Sequence, residues 1–188
     1  FEEENLIEIN RAESWLRSNI KEINFQLYNY AQENEEYRGM GTTLVCAIIY
    51  DKQVVVANVG DSRAYVINQR QMDQITSDHS FVNHLVMTGQ ITKDEAFHHP
   101  QRNIITKVMG TDKRVSPDLF IKRTHFYDYL LLNSDGLTDY VRDYEIQELL
   151  SSNSSLDVHG NELLDLALAH DSKDNVSFIL LKLEGDKV

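Results

Sequence analysis

Three apolar runs, each bordered by an aspartate, limit what this chain can fold into. The runs with their aspartates occupy residues 54–61, 129–135 and 174–181. Uninterrupted apolar runs of this length, bounded by turn residues, predict buried strands. The aspartates at the strand ends are expected where a protein core meets solvent, and they are Asp61, Asp135 and Asp174.

Aspartates gathered at one edge of a core indicate a cation site. Their negative charges repel one another unless a bound cation neutralises them. Hard oxygen ligands of this kind suit Mg²⁺ or Mn²⁺. The pattern therefore favours a metal-dependent enzyme, and the simplest chemistry for it is hydrolysis of a phosphate ester.

Size and charge predict one domain that binds neither nucleic acid nor membrane. The chain has 188 residues, of which 41% are hydrophobic, and its 30 acidic and 18 basic residues give a net charge of −12. This charge opposes binding to nucleic acid or anionic membrane, although a plain acidic surface would produce the same balance. Because no run can cross a bilayer and no signal-peptide pattern is present, the cytoplasm is expected. The single cysteine, Cys46, lacks a basic neighbour and is expected to be a buried apolar residue.

Hydrophobic periodicity predicts an α+β fold. An amphipathic helix is expected over residues 13–36, with an apolar face of Trp15, Leu16, Ile20, Ile23, Leu27 and Tyr30. Strands are expected over residues 42–50, 53–59, 63–68, 71–76, 119–126, 129–132 and 176–183, and helices over 143–150 and 162–170. Consecutive meanders with helices before and between them imply α+β. Strands that are apolar throughout need cover on both faces, which two packed sheets with helices outside would supply.

Residues 78–110 are expected to leave the sheets as a flap-like insertion. Short helices are predicted at residues 81–89 and after Thr92, which forms a capping-box pattern with Glu95. The insertion is long, polar and close in sequence to Asp61, so it is the candidate for substrate selection. Its basic side chains and those just beyond it would steer phosphorylated loops or remain solvated charges; they are Arg102, Lys107, Lys113 and Arg114.

The histidines of this region do not have the spacing of metal ligands. His98 and His99 are adjacent, so their side chains would diverge on a helix, and a surface role is expected. His79 and His84 miss the four-residue spacing of zinc-binding helices.

Five short segments form an ordered set along the chain. They are Gly41-Thr42-Thr43, Asn58-Val-Gly-Asp61-Ser-Arg63, residues 99–110, Ser134-Asp135-Gly136-Leu-Thr-Asp139 and Asp174-Asn175-Val176. Together they resemble the successive motifs of the PP2C-type (PPM) serine/threonine protein phosphatases, with residues 99–110 resembling the flap of the bacterial members. Each segment alone is weakly diagnostic, whereas the ordered set is specific. The likeness is greatest to the small phosphatases of Gram-positive bacteria, staphylococcal ones in particular.

The resemblance implies a four-layer αββα sandwich with metals at one edge, between the two sheets. By position, Asp135 and Asp174 would be ligands of a binuclear Mn²⁺/Mg²⁺ centre, and Asp61 and Asp139, again with Asp135, would hold a third metal. In the complete family enzyme, two cations share a water molecule, and the resulting hydroxide attacks phosphorus in line. The resemblance also implies a monomer that acts in signalling on phosphorylated proteins, with a cognate serine/threonine kinase as partner.

Each aspartate also has a purely structural interpretation. Asp135 before Gly136 is typical of a turn or an N-cap, and Asp174 before Asn175 of a turn that starts a strand. Asp61 could form a salt-bridged turn with Arg63. Asp139 lies four residues after Asp135, so a helical turn after Gly136 would put both carboxylates on one face.

The first motif of the family has no counterpart in this sequence. That motif supplies an arginine that clamps the substrate phosphate, an acidic pair, and an Asp-Gly-Met-Gly-Gly strand end whose aspartate bridges the two metals. Gly39-Met40-Gly41 does not replace it, because no aspartate precedes it. Residues 1–188 are therefore expected to form one phosphatase domain that is incomplete at its N-terminus, has no catalytic residue from that motif and is impaired or inactive. The alternatives are a non-catalytic domain that binds phosphoproteins or a kinase, or a fragment that self-associates through open sheet edges.

Overall fold

The structure, a computed structural model, describes residues 9–50 and 52–183. Its helices are α1 (Ile9–Glu33), α2 (Phe81–Met87), α3 (Lys93–Phe97), α4 (Asp135–Thr138), α5 (Asp143–Leu150) and α6 (Leu156–Ala169). Its strands are β1 (Leu44–Tyr50), β2 (Gln53–Val59), β3 (Arg63–Ile67), β4 (Met72–Gln74), β5 (Asp118–Arg123), β6 (Tyr129–Asn133) and β7 (Phe178–Lys182). None of the helices in these two ranges has the length and apolar character needed to span a membrane.

The strands form two antiparallel sheets. One sheet has the order β1-β2-β5 and the other the order β4-β3-β6-β7. Leu44 lies opposite Val59 in the first sheet, and Arg63 lies opposite Asn133 in the second. Because β2 and β3 are consecutive but belong to different sheets, the short segment between them crosses from one sheet to the other.

Alternating side chains along the strands build three apolar layers. Val54 and Val56 of β2 pack against Val66 and Leu130 in the core between the sheets. The intervening residues of β2, such as Val55, pack under α1. On the far side, residues of β3 and β6 pack under α4, α5 and α6; they are Tyr65, Ile67, Tyr129 and Leu131. The order of helix, sheet, sheet and helices confirms the expected α+β fold, a four-layer αββα sandwich.

Helix α1 buries a different face from the one predicted. Its buried residues are Ala12, Leu16, Ile20, Asn24 and Ala31. Trp15, Ile23 and Tyr30, assigned to the apolar face by their hydrophobicity, are 36%, 53% and 50% exposed. Asn24 is buried because its amide donates to the carbonyl of Asp112 and accepts from the N–H of Gly110. The predicted face was therefore wrong at three positions and right at Leu16 and Ile20, and the other buried positions are the small or polar residues Ala12, Asn24 and Ala31.

The predicted short helices of the flap-like insertion are confirmed. Ser80 caps α2 by accepting a hydrogen bond from the backbone of Asn83. Thr92 and Glu95 form the expected capping box at the start of α3. Helix α6 begins at Leu156 and not at residue 162, because Ser155 caps it there.

Candidate metal centre

Asp61 lies on the segment that crosses between the two sheets. Gly60 has a φ of +112°, and a Cβ atom there would lie 2.4 Å from the side chain of Thr43. Only glycine fits such a close approach in this part of conformational space. The hydroxyls of Thr43 and Ser62 are hydrogen-bonded at 2.9 Å, so the residue just before β1 also secures the crossing. The tight turn fixes where the Asp61 side chain emerges.

Asp135 is the first residue of the short helix α4, directly after β6. Ser134 is the N-cap residue, so the alternative that Asp135 itself is the cap is wrong. The N–H of Asp139 donates to the carbonyl of Asp135 at 2.8 Å, which closes one helical turn. The expected helical turn is confirmed, and residues four apart on it lie on the same face.

Asp174 belongs to a loop that is fastened to the start of α4. The Ser134 hydroxyl donates to the carbonyl of Asn175 at 3.2 Å and accepts from the N–H of Ser177 at 3.1 Å. Ser172 donates from its hydroxyl to the carbonyl of Gly136 at 2.8 Å. A Cβ atom on Gly136 would lie 2.3 Å from the carbonyl oxygen of Asn175, so the two backbones are in direct contact. Two distant parts of the sequence are thereby held side by side.

Burial and neighbouring carboxylates raise the pKa of three of the four predicted ligands. Burial, and then the charge of Asp135, raises the pKa of Asp61 to about 6. Burial also raises the pKa of Asp139 to about 6, with the guanidinium of Arg63 opposing the shift and Asp135 adding to it. Burial, and then the charge of Asp174, raises the pKa of Asp135. Asp61, Asp135 and Asp139 therefore form one electrostatic cluster of partly buried like charges, and the exposed Asp174 acts on it through Asp135.

The donor chemistry of this cluster fits a hard divalent cation, although the side chains do not enclose one. A cation would relieve the repulsion that raises these pKa values. Within residues 9–50 and 52–183, however, no three His, Cys, Asp or Glu side chains come together closely enough to hold a metal ion. Mg²⁺ and Mn²⁺ are commonly held by one or two carboxylates with waters in the remaining positions. The assignment of these aspartates as ligands stays a prediction.

The nearby arginines pair with other carboxylates and leave Asp61 without a cationic side-chain partner at salt-bridge distance in the described chain. Both Nε and Nη2 of Arg63 bind the same oxygen of Asp78, at 2.8 and 2.7 Å. The alternative of a salt-bridged Asp61–Arg63 turn is therefore wrong. Arg102 lies 3.6 Å from Asp139, a long contact that leaves part of that carboxylate available.

A cavity of about 580 Å³ opens beside the cluster, between the flap-like insertion and helix α5. Asp61, Asp139 and Arg63 line its inner end, and Lys93 lines the side formed by α3. Arg142 closes that side by stacking on the ring of Phe97, 3.5 Å from its centroid, and by pairing with Asp94 at 2.8 Å. Residues of the insertion therefore line one cavity together with Asp61 and Asp139.

The remaining sequence predictions concern cysteine and histidine. Cys46 is half-buried and packs against the core under α1, and burial raises the pKa of its thiol, which keeps it protonated. His98 is exposed and contacts Arg142 and Phe97 at the surface of the insertion, in agreement with the expected surface role. Sequence reasoning missed His79, whose ring bonds to the backbone of Gly60. No local spacing signals this contact, because its partners come from separate loops.

Comparison with known proteins agrees with the fold and the motifs. The sequence profile of the family Protein phosphatase 2C matches residues 5–85. The serine/threonine phosphatase Stp of Listeria welshimeri is 40% identical over 177 residues, which cover 94% of this chain and 70% of that protein. The protein phosphatase PhpP of Streptococcus pneumoniae is 38% identical over 178 residues, covering 95% and 72%.

Two solved structures extend the comparison to three dimensions. The crystal structure of serine/threonine phosphatase Stp1 from Staphylococcus aureus matches with a TM-score of 0.95 and 74% identity, covering 98% of this chain and 73% of that one. The catalytic domain of PstP, in complex with two manganese ions, matches with a TM-score of 0.76 and 28% identity, covering 92% and 70%. The chain belongs to the protein phosphatase 2C family of serine/threonine phosphatases.

Proposed function

We propose that the chain hydrolyses phosphoserine and phosphothreonine in proteins with the help of divalent cations held by Asp135, Asp174, Asp61 and Asp139. The proposal rests on one observation: burial and the charges of neighbouring carboxylates raise the pKa of Asp61, Asp135 and Asp139. Family membership supports the reaction class, and the two manganese ions of the PstP relative support the choice of metal. When bound, such cations supply Lewis acidity and activate water for attack at phosphorus.

The residues of this chain would hold the cations and shape the approach of the substrate. Asp135 and Asp174 would bind at the edge of the four-stranded sheet, and Asp61 and Asp139 beside them. Arg63, fixed by Asp78, contributes positive charge at the inner end of the cavity without occupying any of the four carboxylates. The cavity under the insertion would receive the residues that flank the phosphorylated side chain, and Lys93 would favour acidic ones there.

Hydrolysis by the chain on its own is expected to be slow. Its sequence contains no Asp-Gly-Met-Gly-Gly segment, to which the resemblance assigns the bridging ligand. A cognate kinase, a cytoplasmic location and a monomeric state stay predictions of the sequence and of the resemblance.

The experiment is release of phosphate from a phosphothreonine peptide and from p-nitrophenyl phosphate, with Mn²⁺ or with EDTA. It is run on the chain and on a fusion that places the N-terminal segment of the Listeria relative before Phe1. We expect Mn²⁺-dependent turnover by the fusion and weak turnover by the chain. If neither protein releases phosphate while the peptide still binds, the chain is instead a non-catalytic phosphoprotein-binding domain, a role favoured by the lack of a closed ligand set among the described residues.

A further inference from the structure

His79 holds both polar backbone groups of Gly60. Its ring Nδ1 accepts a hydrogen bond from the N–H of Gly60 at 2.9 Å. Its own backbone N–H donates to the carbonyl of Gly60 at 3.0 Å. One residue at the start of the flap-like insertion therefore fixes the peptide groups on both sides of the glycine that precedes Asp61.

The other ring nitrogen of His79 connects to a charged pair. Nε2 lies 3.0 Å from Oδ2 of Asp118, and Nζ of Lys107 donates to Oδ1 of the same carboxylate at 2.8 Å. Burial favours a higher pKa for Asp118, but hydrogen bonds from Lys107 and His79 outweigh it and lower the pKa. The carboxylate is therefore an ionised acceptor for the ring.

These contacts fix the tautomer of His79. Since Nδ1 accepts from Gly60, it carries no proton, and the neutral ring must carry its proton on Nε2. Two groups lie near Nε2, the carboxylate of Asp118 at 3.0 Å and Nζ of Lys107 at 3.1 Å, and only the carboxylate can accept its proton. The carboxylate therefore orients the ring as second-layer carboxylates orient metal-binding histidines. The His79 side chain is 13% exposed, so water has little access to its ring, whereas the Asp118 side chain is 44% exposed.

We propose that His79 is a positioning residue for Asp61. By binding the N–H and C=O of Gly60, it holds the φ of +112° at which the chain crosses between the sheets. A rotation of either peptide group would swing the next side chain, Asp61, away from Asp135. The inference rests on the proposed function only in assigning Asp61 to a cation.

The two ring nitrogens can be tested separately with amide side chains. In His79→Asn the amide oxygen reaches the place of Nδ1 and still accepts from Gly60, but it no longer reaches Asp118. In His79→Gln the amide extends toward Asp118 and withdraws from Gly60. His84→Gln is the matched control, since His84 lies in α2 of the same insertion and its side chain makes no contact with the crossing segment.

Three measurements are made on each variant: Mn²⁺ affinity by calorimetry, exchange of the Gly60 amide by NMR, and the melting temperature. We expect His79→Gln to weaken Mn²⁺ binding by about tenfold or more, the range of losses for second-layer partners. It should also speed Gly60 exchange at least about tenfold, since that amide loses its acceptor. His79→Asn should stay within about threefold of the unmodified chain on both measures, and His84→Gln should match it. The unmodified chain should show ¹⁵N shifts of a ring protonated at Nε2.

Equal Gly60 exchange in His79→Gln and His84→Gln would overturn the proposal, as would a ring protonated at Nδ1. If the unmodified chain binds no Mn²⁺, the proposed cation site fails, while the exchange and tautomer measurements still decide the role of His79. Should His79→Gln not fold, Asp118→Asn is used instead. It removes the charge that selects the tautomer, so a mixture of ring tautomers and faster Gly60 exchange are expected.

Discussion

At the scale of single residues, the acidic cluster is expected to lower the stability of the metal-free chain. Asp61, Asp135 and Asp139 are partly buried, and each has a pKa above its ordinary value of 3.8. Such repulsion is costly in a metal-free protein, and it persists at functional sites because binding removes it. Neutralising one of these carboxylates should therefore raise the stability of the metal-free chain and lower that of the metal-bound chain.

Asp135→Asn should raise the melting temperature of the metal-free chain. It should also abolish most of the increase in melting temperature that Mn²⁺ causes. The neutral amide ends the repulsion with Asp174, but it is a weaker ligand, so Mn²⁺ affinity should fall by at least about tenfold. Thermal unfolding at pH 7.5 with EDTA and with Mn²⁺ measures both effects. Asp165→Asn, on the exposed face of α6, is the control that should change neither. A lower melting temperature in EDTA would show that Asp135 is a structural residue.

The pH dependence of the metal-free chain follows from the same carboxylates. Between pH 3.8 and about 6 the folded chain binds more protons than the unfolded chain, because the pKa values of Asp61 and Asp139 are raised to about 6. Their contribution to stability is therefore present below pH 3.8 and is lost as the pH rises through 6. For Asp139, whose side chain is 22% exposed, the loss should be about 1–2 kcal/mol after solvent screening.

Melting curves of the chain and of Asp139→Asn in EDTA, from pH 4 to 8, measure this effect. The variant should lose less stability than the unmodified chain between pH 4 and 7. The gain on adding Mn²⁺ should shrink below pH 6, where protons compete for the same oxygens. If the melting temperatures of the two proteins changed in parallel with pH, the raised pKa of Asp139 would be contradicted.

At the scale of elements, α4 and the loop before β7 act as one unit. The contact of Gly136 with the carbonyl of Asn175 leaves no room for a side chain, although Gly136 does not have a positive φ. The glycine is therefore required by the close approach of two backbones, and that approach is what brings Asp135 to Asp174.

Gly136→Ala should destabilise the chain by about 1–3 kcal/mol, the usual cost of forcing a methyl group into a packed site. It should also weaken Mn²⁺ binding, because separating the two backbones separates Asp135 from Asp174. Gly160→Ala is the matched control: its Cβ would lie 3.9 Å from Phe178 inside α6, an ordinary contact. That substitution should stabilise the chain by up to about 1 kcal/mol, since alanine favours a helix over glycine. Urea unfolding measures both variants, and equal changes would show that the Gly136 contact is not tight.

Most elements could be predicted from the sequence, because unbroken apolar runs leave few alternatives to a buried strand. The predicted bounds of β2 and α5 match the structure, and the spacing of Thr92 and Glu95 correctly predicted the capping box of α3. The face of α1 was not, because Asn24 is buried by hydrogen bonds to a distant loop while larger apolar residues remain exposed. The same limit applies to His79, whose partners Gly60 and Asp118 are brought to it only by the fold.

At the scale of the whole molecule, the four layers should unfold as one unit. The core between the sheets joins β2 to β3 and β6, so each sheet would expose its inner apolar face without the other. The only tryptophan, Trp15, lies on α1 and reports on the outermost layer. Urea unfolding followed by Trp15 fluorescence and by far-ultraviolet circular dichroism should give one shared midpoint. Two separated midpoints would show that α1 detaches before the sheets separate.

The position of Asp61 on the crossing between the sheets has a mechanical consequence. Asp61 lies on the link between the two sheets, whereas Asp135 and Asp174 lie next to β6 and β7 of the four-stranded sheet. A metal ion bound by Asp61 on one side and by Asp135 or Asp174 on the other would cross-link the two sheets. The bound ion would then resist sliding of one sheet over the other at this edge. Release of the ion would allow that sliding.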